Sequence, residues 1–148
     1  MEFTRVNFRP SFFGDRPLVL LEDGELKATA FCYESGVCGL KIENEHCSMV
    51  VLPYMGQQIW FAEFEGRNLT QKSIFDQPLA TTKFGDNYGG LLLHCGLTNI
   101  NCPGDGEDYP IHGELPFANY PETYAGIGRD ESGVYLAVGG TFVYRNSQ

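Results

Sequence analysis

The sequence has little positive charge and no long apolar run. Lysine and arginine number 10 against 19 aspartates and glutamates, which gives a formal net charge of -9 at pH 7. A surface of that sign repels both the phosphate backbone of nucleic acids and the headgroups of anionic lipids, so we expect neither nucleic acid nor a membrane as a partner. The longest aliphatic runs, residues 18–21 and 91–93, are far too short to cross a bilayer.

Features of secretion and of metal binding are also missing. Residues 1–7 are polar and lack the apolar segment of a signal peptide, and the 5 cysteines form no Cys-x-x-Cys pair. We therefore expect a cytoplasmic protein with reduced thiols and no metal site. A four-ligand set can be drawn from His94, Cys95, Cys102 and His112. Its spacing matches no familiar zinc motif, and the adjacent His94 and Cys95 would point to opposite faces of a strand.

The residues that are present favour short β-strands joined by turns. The 18 glycines, 8 prolines and 14% aromatic residues suit an all-β domain better than a helical one. Strand-like runs bounded by turn residues occur at residues 18–21, 26–33, 37–43, 46–52, 56–64, 134–138 and 141–145. This pattern predicts antiparallel strands, with helix limited to short turns such as one near residues 73–76. Residues 1–17 have no clear period and are expected to wrap the domain edge.

Candidate binding chemistry is concentrated in and just before a loop region at residues 94–124, which is rich in glycine and proline. His112, which lies between Pro110 and Gly113, can donate a hydrogen bond or a proton near neutral pH. The alternative is a loop histidine satisfied by the backbone. His94 follows three leucines, where a satisfied core histidine is at least as common as a ligand-binding one.

Other residues of this region are weaker candidates. Tyr88 can stack on the face of a sugar ring, as can Trp60, although aromatic residues in such positions more often belong to the core. Glu114 can serve as a general acid or base, although a solvated loop carboxylate is the commoner case. The acidic residues 105–108 lack the spacing of a calcium-binding loop.

Three segments resemble the aldose 1-epimerase (galactose mutarotase-like) superfamily, and within it a mutarotase-like branch. Residues 51–60, VLPYMGQQIW, resemble the superfamily's Pro-x-x-Gly-x-x-Ile strand pair, and residues 66–69 follow it as in the family. Residues 88–99 resemble the branch's glycine pair and Cys-Gly-Leu segment. Residues 111–114 resemble the His-Gly motif before a sheet return. The three occur in the family's order, and the resemblance covers residues 18–145.

The resemblance implies an antiparallel twisted β-sandwich with a sugar cleft on one face. In that family a carboxylate takes the proton from the anomeric hydroxyl group, a histidine protonates the ring oxygen, and the ring opens and closes to give the other anomer, without a cofactor. His112 matches a sugar-binding histidine, and His94, Tyr88 and Glu114 belong to the same implied substrate-binding region. Tyr88 stands where many relatives have an arginine, which argues against a sugar phosphate as the substrate.

The resemblance also bears on completeness and activity. Domains of that family are about twice this length, as large single β-domains often are, and their general base lies well downstream. We therefore expect residues 1–148 to form one domain, the N-terminal portion of a mutarotase-like sandwich. No catalytic residue is assigned in the chain, and isomerase activity is expected only together with a C-terminal part.

Such a portion is expected to expose an apolar sheet face to a complementing segment or to a second copy in a homo-oligomer. A non-catalytic carbohydrate-binding or sensing module on the same scaffold is the alternative, and a small jelly-roll protein with an accidental resemblance is a third reading.

Overall fold

The computed structural model describes residues 2–145 and consists of β-strands joined by turns and loops. The strands are β1 (Glu2–Asn7), β2 (Leu18–Asp23), β3 (Leu26–Cys32), β4 (Cys38–Glu43), β5 (Cys47–Leu52), β6 (Gln58–Phe64), β7 (Arg67–Asn68), β8 (Glu122–Asp130) and β9 (Gly133–Thr141). Helix is limited, within the described residues, to single 3-10 turns at Pro10–Phe12 and Phe84–Asp86. The expectation of an all-β chain with helix only in short turns is confirmed.

The strands form two antiparallel sheets. Strands β2 to β7 form a six-stranded sheet in sequence order, so each strand pairs with the next through a short turn, and the other sheet has the order β1-β8-β9. The turn between β6 and β7 shows how the sequence dictates this geometry. Glu65 and Gly66 both have positive φ, 49° and 71°, as a tight two-residue hairpin whose twist matches its strands requires.

The two sheets pack face to face over a common core. Ala28, Ala30 and Leu40 of the large sheet lie against Ala125 of the small sheet, and all four are fully buried. Alanines on both sides let the sheets approach closely, and the rings of Phe8 and Phe13, near the first 3-10 turn, fill the space at one end. These contacts between two antiparallel sheets are consistent with a β-sandwich.

The opposite face of the six-stranded sheet carries a second core. Val37, Val50, Leu52 and Trp60 are buried there, with Phe75 packed against them. Because Phe75 belongs to the long segment between β7 and β8, part of this face is covered from within the chain. The packing of Phe75 on this core therefore anchors the segment to the six-stranded sheet.

Several predicted boundaries differ from the structure. Residues 1–17 were expected only to wrap the edge, yet β1 pairs along its whole length with β8, from Glu2 opposite Arg129 to Asn7 opposite Tyr124. Residues 134–138 and 141–145 were expected to be separate runs, but β9 is continuous from Gly133 to Thr141. Residues 73–76 form no helical turn.

The chain shows no helix, among its described residues, that is long and apolar enough to cross a membrane.

Candidate functional site

Two loop segments, residues 96–101 and 112–115, are joined by backbone hydrogen bonds on one side of the molecule. Gly96 and Gly113 form an isolated bridge. The Gly96 N–H donates to the His112 carbonyl oxygen at 2.8 Å, and the His112 N–H donates to the Asn101 carbonyl oxygen at 2.6 Å. A side chain at Gly113 would overlap the Asn99 carbonyl oxygen and the backbone of Gly96, so the close approach requires glycine there.

The Glu114 side chain locks these two segments together. Its carboxylate accepts hydrogen bonds from the backbone N–H of Thr98 at 3.1 Å, from the Thr98 hydroxyl group, and from the Asn99 side-chain amide at 2.9 Å. The Thr98 hydroxyl bond is the main reason that the pKa of Glu114 falls from 4.5 to about 2, with Asn99 and the Thr98 backbone adding to it. Glu114 is thus ionised at neutral pH and its oxygens are occupied.

The backbone of His112 is held in an unusual conformation. Its φ is 64°, in the left-handed region that few residues other than glycine adopt. His112 is the third residue of a turn in which the Gly113 N–H donates to the Pro110 carbonyl oxygen at 2.8 Å, and the bonds to Gly96 and Asn101 hold the turn in place. The histidine ring then stacks on Phe84, with ring centroids 4.5 Å apart and planes inclined by 44°.

A row of three rings results from this contact. Phe84 also stacks on Tyr88, at 5.0 Å between centroids and an angle of 33°, so the order is Tyr88, Phe84, His112. Phe84 was not among the predicted site residues. The only signal for it in the sequence was an aromatic residue four positions before Tyr88, beside a glycine, and that spacing alone does not separate a wall of a site from core.

Tyr88 is placed by its neighbours in the chain. Asn87 is fully buried, and its side-chain oxygen accepts a hydrogen bond from the Leu79 N–H at 2.9 Å. Gly89 and Gly90 pack against Trp60, where an added side chain at Gly89 would overlap the Ser73 hydroxyl group. Tyr88 itself is 55% exposed. The chain is therefore anchored on both sides of Tyr88, while the tyrosine ring remains accessible to solvent.

An open cavity of about 480 Å³ lies beside Tyr88 and Phe84. Residues 71–75 and Gly85 complete its lining, and they supply the polar side chains of Gln71, Lys72 and Ser73. His112 is not part of this lining and lies on the Phe84 side of the ring row. The cavity therefore combines aromatic walls with polar groups, which is the composition of many small-molecule sites.

His94 occupies a different position from the other predicted residues. It is exposed and borders a groove of about 230 Å³ between the sheets, together with apolar residues of the large sheet and Val138 of β9. This groove shares no lining residue with the cavity beside Tyr88. The structure thus brings Tyr88 and His112 together through Phe84, places Glu114 in the supporting loop, and puts His94 elsewhere.

Within residues 2–145, no group of three or more His, Cys, Asp or Glu side chains is arranged to hold a metal ion. Trp60, considered above as a possible stacking platform, is buried in the second core with 6% of its surface exposed. Comparisons of the chain with protein-family models, with curated proteins and with solved structures found no match. Its function therefore has to be argued from the geometry of the site.

Proposed function

We propose that this protein binds an aldose at the cavity beside Tyr88 and Phe84, next to the loop that carries His112, and that it serves as the sugar-binding part of an aldose 1-epimerase-like isomerase. The observation that carries the proposal is the row of rings formed by Tyr88, Phe84 and His112, in which Tyr88 is 55% exposed beside the open cavity. A hydrogen-bonded turn, in which the Gly113 N–H donates to the Pro110 carbonyl oxygen at 2.8 Å, presents His112 to this row.

The chemistry of the cavity fits a sugar. A pyranose ring has an apolar face of C–H groups, which packs on exposed aromatic rings such as Tyr88, and a rim of hydroxyl groups, which need donors and acceptors. Gln71, Lys72 and Ser73 supply these around the same cavity. The depression is wide open to solvent and has a volume of about 480 Å³, so a sugar bound there keeps part of its hydroxyl rim in water.

Isomerisation of an anomer needs a base for the anomeric hydroxyl proton and an acid for the ring oxygen. His112 has the chemistry of a hydrogen-bond donor or acid. Glu114 is unsuited to be the base, because its pKa is lowered to about 2 and its oxygens accept hydrogen bonds from Thr98 and Asn99. The proposal therefore assigns sugar binding to this chain and leaves the general base unassigned.

The occupied Glu114 carboxylate favours a second candidate, a carbohydrate-binding or sensing module without catalysis on the same scaffold. The two candidates share the binding site and differ only in whether bound sugar changes anomer.

A titration of the ¹⁵N-labelled chain with glucose and with galactose tests the shared part. We expect the backbone signals of Phe84, Tyr88 and residues 71–73 to shift in a saturable way, and Tyr88→Ala to abolish the shifts. Tyr144→Ala is the matched control, because Tyr144 is another exposed tyrosine, 40% accessible, and stacks on Phe142 away from the cavity. Absence of saturable shifts with either sugar would show that the proposal is wrong.

Exchange spectroscopy on the same samples tests whether this chain alone is an isomerase. Transfer of magnetisation between the α and β anomers above the buffer rate would identify an isomerase whose general base lies within this chain. Saturable binding with anomer exchange at the buffer rate is the result we expect, because no general base is assigned among the described residues, and it limits the role of this chain to sugar binding.

A further inference from the structure

Cys32 and Cys38 lie directly opposite each other on neighbouring strands. The register of β3 and β4 pairs their Cα atoms at the last position of β3 and the first of β4. Directly opposed residues of an antiparallel pair point to the same face of the sheet. Both side chains are partly buried, and Cys38 packs against the core between the sheets.

The hydrogen bonds show which type of cross-strand pair this is. The Tyr33 N–H donates to the Val37 carbonyl oxygen at 2.9 Å, whereas the Cys32 N–H donates to Gly14 at 3.1 Å and not to Cys38. Because hydrogen-bonded and non-hydrogen-bonded pairs alternate along an antiparallel ladder, Cys32 and Cys38 form a non-hydrogen-bonded pair. In such pairs the Cα atoms are about 4.5 Å apart and the side chains are at their closest.

This spacing is compatible with a disulfide bond. Disulfides span Cα separations of about 4.4 to 6.8 Å, and a non-hydrogen-bonded pair lies at the short end of that range. The two sulfur atoms therefore need only side-chain rotation and a small local adjustment to bond. Cys47, Cys95 and Cys102 are the remaining thiols, and none of them is the cross-strand partner of another cysteine among the described strands.

We propose that Cys32 and Cys38 form a disulfide bond across the β3–β4 hairpin by exchange with a small-molecule disulfide. The thiolate of one cysteine attacks the small disulfide, breaks its sulfur–sulfur bond and releases one small thiol, which leaves a mixed disulfide. The thiolate of the second cysteine attacks the protein sulfur of that mixed disulfide and releases the second small thiol. The two cysteines are oxidised by two electrons in total, and the small disulfide is reduced to two thiols that carry the two protons.

The bond closes the base of a turn that supports the site region. Ser35, at the tip of the hairpin, donates from its backbone N–H to the Gln77 side-chain oxygen at 3.1 Å and from its hydroxyl group to the Pro78 carbonyl oxygen at 2.5 Å. Burial raises the pKa of Cys38, and the neighbouring Cys32 adds to this. Less thiolate is present at Cys38 as a result, so the exchange is expected to accelerate as the pH rises.

Peptide mapping after equilibration of the folded chain with oxidised glutathione tests the proposal. Trypsin leaves both cysteines in one peptide, residues 28–41, because no lysine or arginine lies between them. We expect this peptide to be lighter by two hydrogens and resistant to alkylation. Cleavage after Glu34 should then give two fragments that separate only upon reduction.

Two variants make the result specific. In Cys38→Ser, Cys32 should accumulate as a mixed disulfide with glutathione. In Cys95→Ser/Cys102→Ser, which removes the two exposed thiols, the internal bond should form as in the original chain. The proposal is overturned if the peptide of residues 28–41 takes up two alkyl groups, or two glutathiones, under conditions in which Cys95 and Cys102 are oxidised.

Discussion

Thr98 donates two hydrogen bonds to Glu114, one from its backbone N–H at 3.1 Å and one from its hydroxyl group. Asn99 adds its side-chain amide at 2.9 Å. With the Asn99 backbone N–H at 3.4 Å, four donors converge on one carboxylate and fix residues 98–99 against the loop that carries His112. Glu114, assigned above to the implied substrate-binding region, thus has its carboxylate oxygens engaged in holding the loop.

This arrangement makes the loop sensitive to acid. The folded pKa of Glu114, about 2, lies below its ordinary value of 4.5, so the ionised form stabilises the folded loop. That stability is fully present above about pH 4.5 and is lost as the pH falls towards 2. We expect the amide signals of Thr98 and Asn99 to titrate with a midpoint near 2, and Glu114→Gln to remove the titration. A midpoint near the ordinary value of 4.5 would contradict this expectation.

The left-handed conformation of His112 gives an unusual order of variant stability. At φ 64° a Cβ atom costs roughly 1–2 kcal/mol, so His112→Gly should be more stable to urea than His112→Ala by about 1 kcal/mol. His46 is the control, because it is exposed and has no positive φ. There the order should reverse, with alanine the more stable. Equal stability of the two His112 variants would show that the loop relaxes freely.

The sequence predicted β2 to β6 of the six-stranded sheet, which alternate or are rich in β-branched residues, and most of β9. It did not predict β1, β7 or β8. Gly126 and Gly128 lower the β-strand propensity of β8. This strand depends instead on contacts with residues that are distant in the sequence, so no local pattern predicts it. The ring of Phe3 in β1 covers Gly126, and the ring of Tyr135 in β9 covers Gly128.

The site was predictable only in part for the same reason. His112 and Glu114 are neighbours in sequence, so their loop was found from composition. Phe84 contacts His112 across 28 positions of chain with no periodic signal. His94 was grouped with His112 because it lies in the same loop-rich region, but it borders a groove formed by the sheets. The positions of Phe84 and His94 both depend on packing between residues that are distant in the sequence, and such packing leaves no local pattern in a single sequence.

The contact between the Tyr135 ring and Gly128 should be measurable in the free energy of unfolding. A methyl group at Gly128 would overlap the tyrosine ring, so Gly128→Ala should lower the free energy of unfolding by about 1–3 kcal/mol. Gly14→Ala is the control, since an added Cβ there meets open space and φ is not positive. In a Tyr135→Ala background, where the ring is gone, the cost of Gly128→Ala should largely disappear. An unchanged cost in that background would show that the clash is with other atoms.

Trp60 reports on the attachment of the segment that carries Tyr88. It is the single tryptophan of the chain and is 6% exposed, and Gly89 packs on it so closely that an added Cβ would lie 3.1 Å from its ring and overlap the Ser73 hydroxyl group at 2.6 Å. We expect Gly89→Ala to push the segment away from Trp60, to move the tryptophan emission to longer wavelengths as water gains access, and to weaken sugar binding in the titration described above.

Gly85→Ala provides the matched control for this variant, because Gly85 lies in the same segment but has open space around its Cβ position and no positive φ. Its emission spectrum should match that of the original chain, and its stability should change by less than about 0.5 kcal/mol. Because Gly85 lines the cavity, this variant is a control for the emission and not for the sugar affinity. The two variants differ only in whether the added methyl group meets Trp60 and Ser73. If both leave the emission unchanged, the segment adapts to the methyl group, and the glycine pair is not needed to position Tyr88. If Gly89→Ala alone shifts the emission and lowers affinity, the contact with the second core is what holds the aromatic wall of the cavity in place.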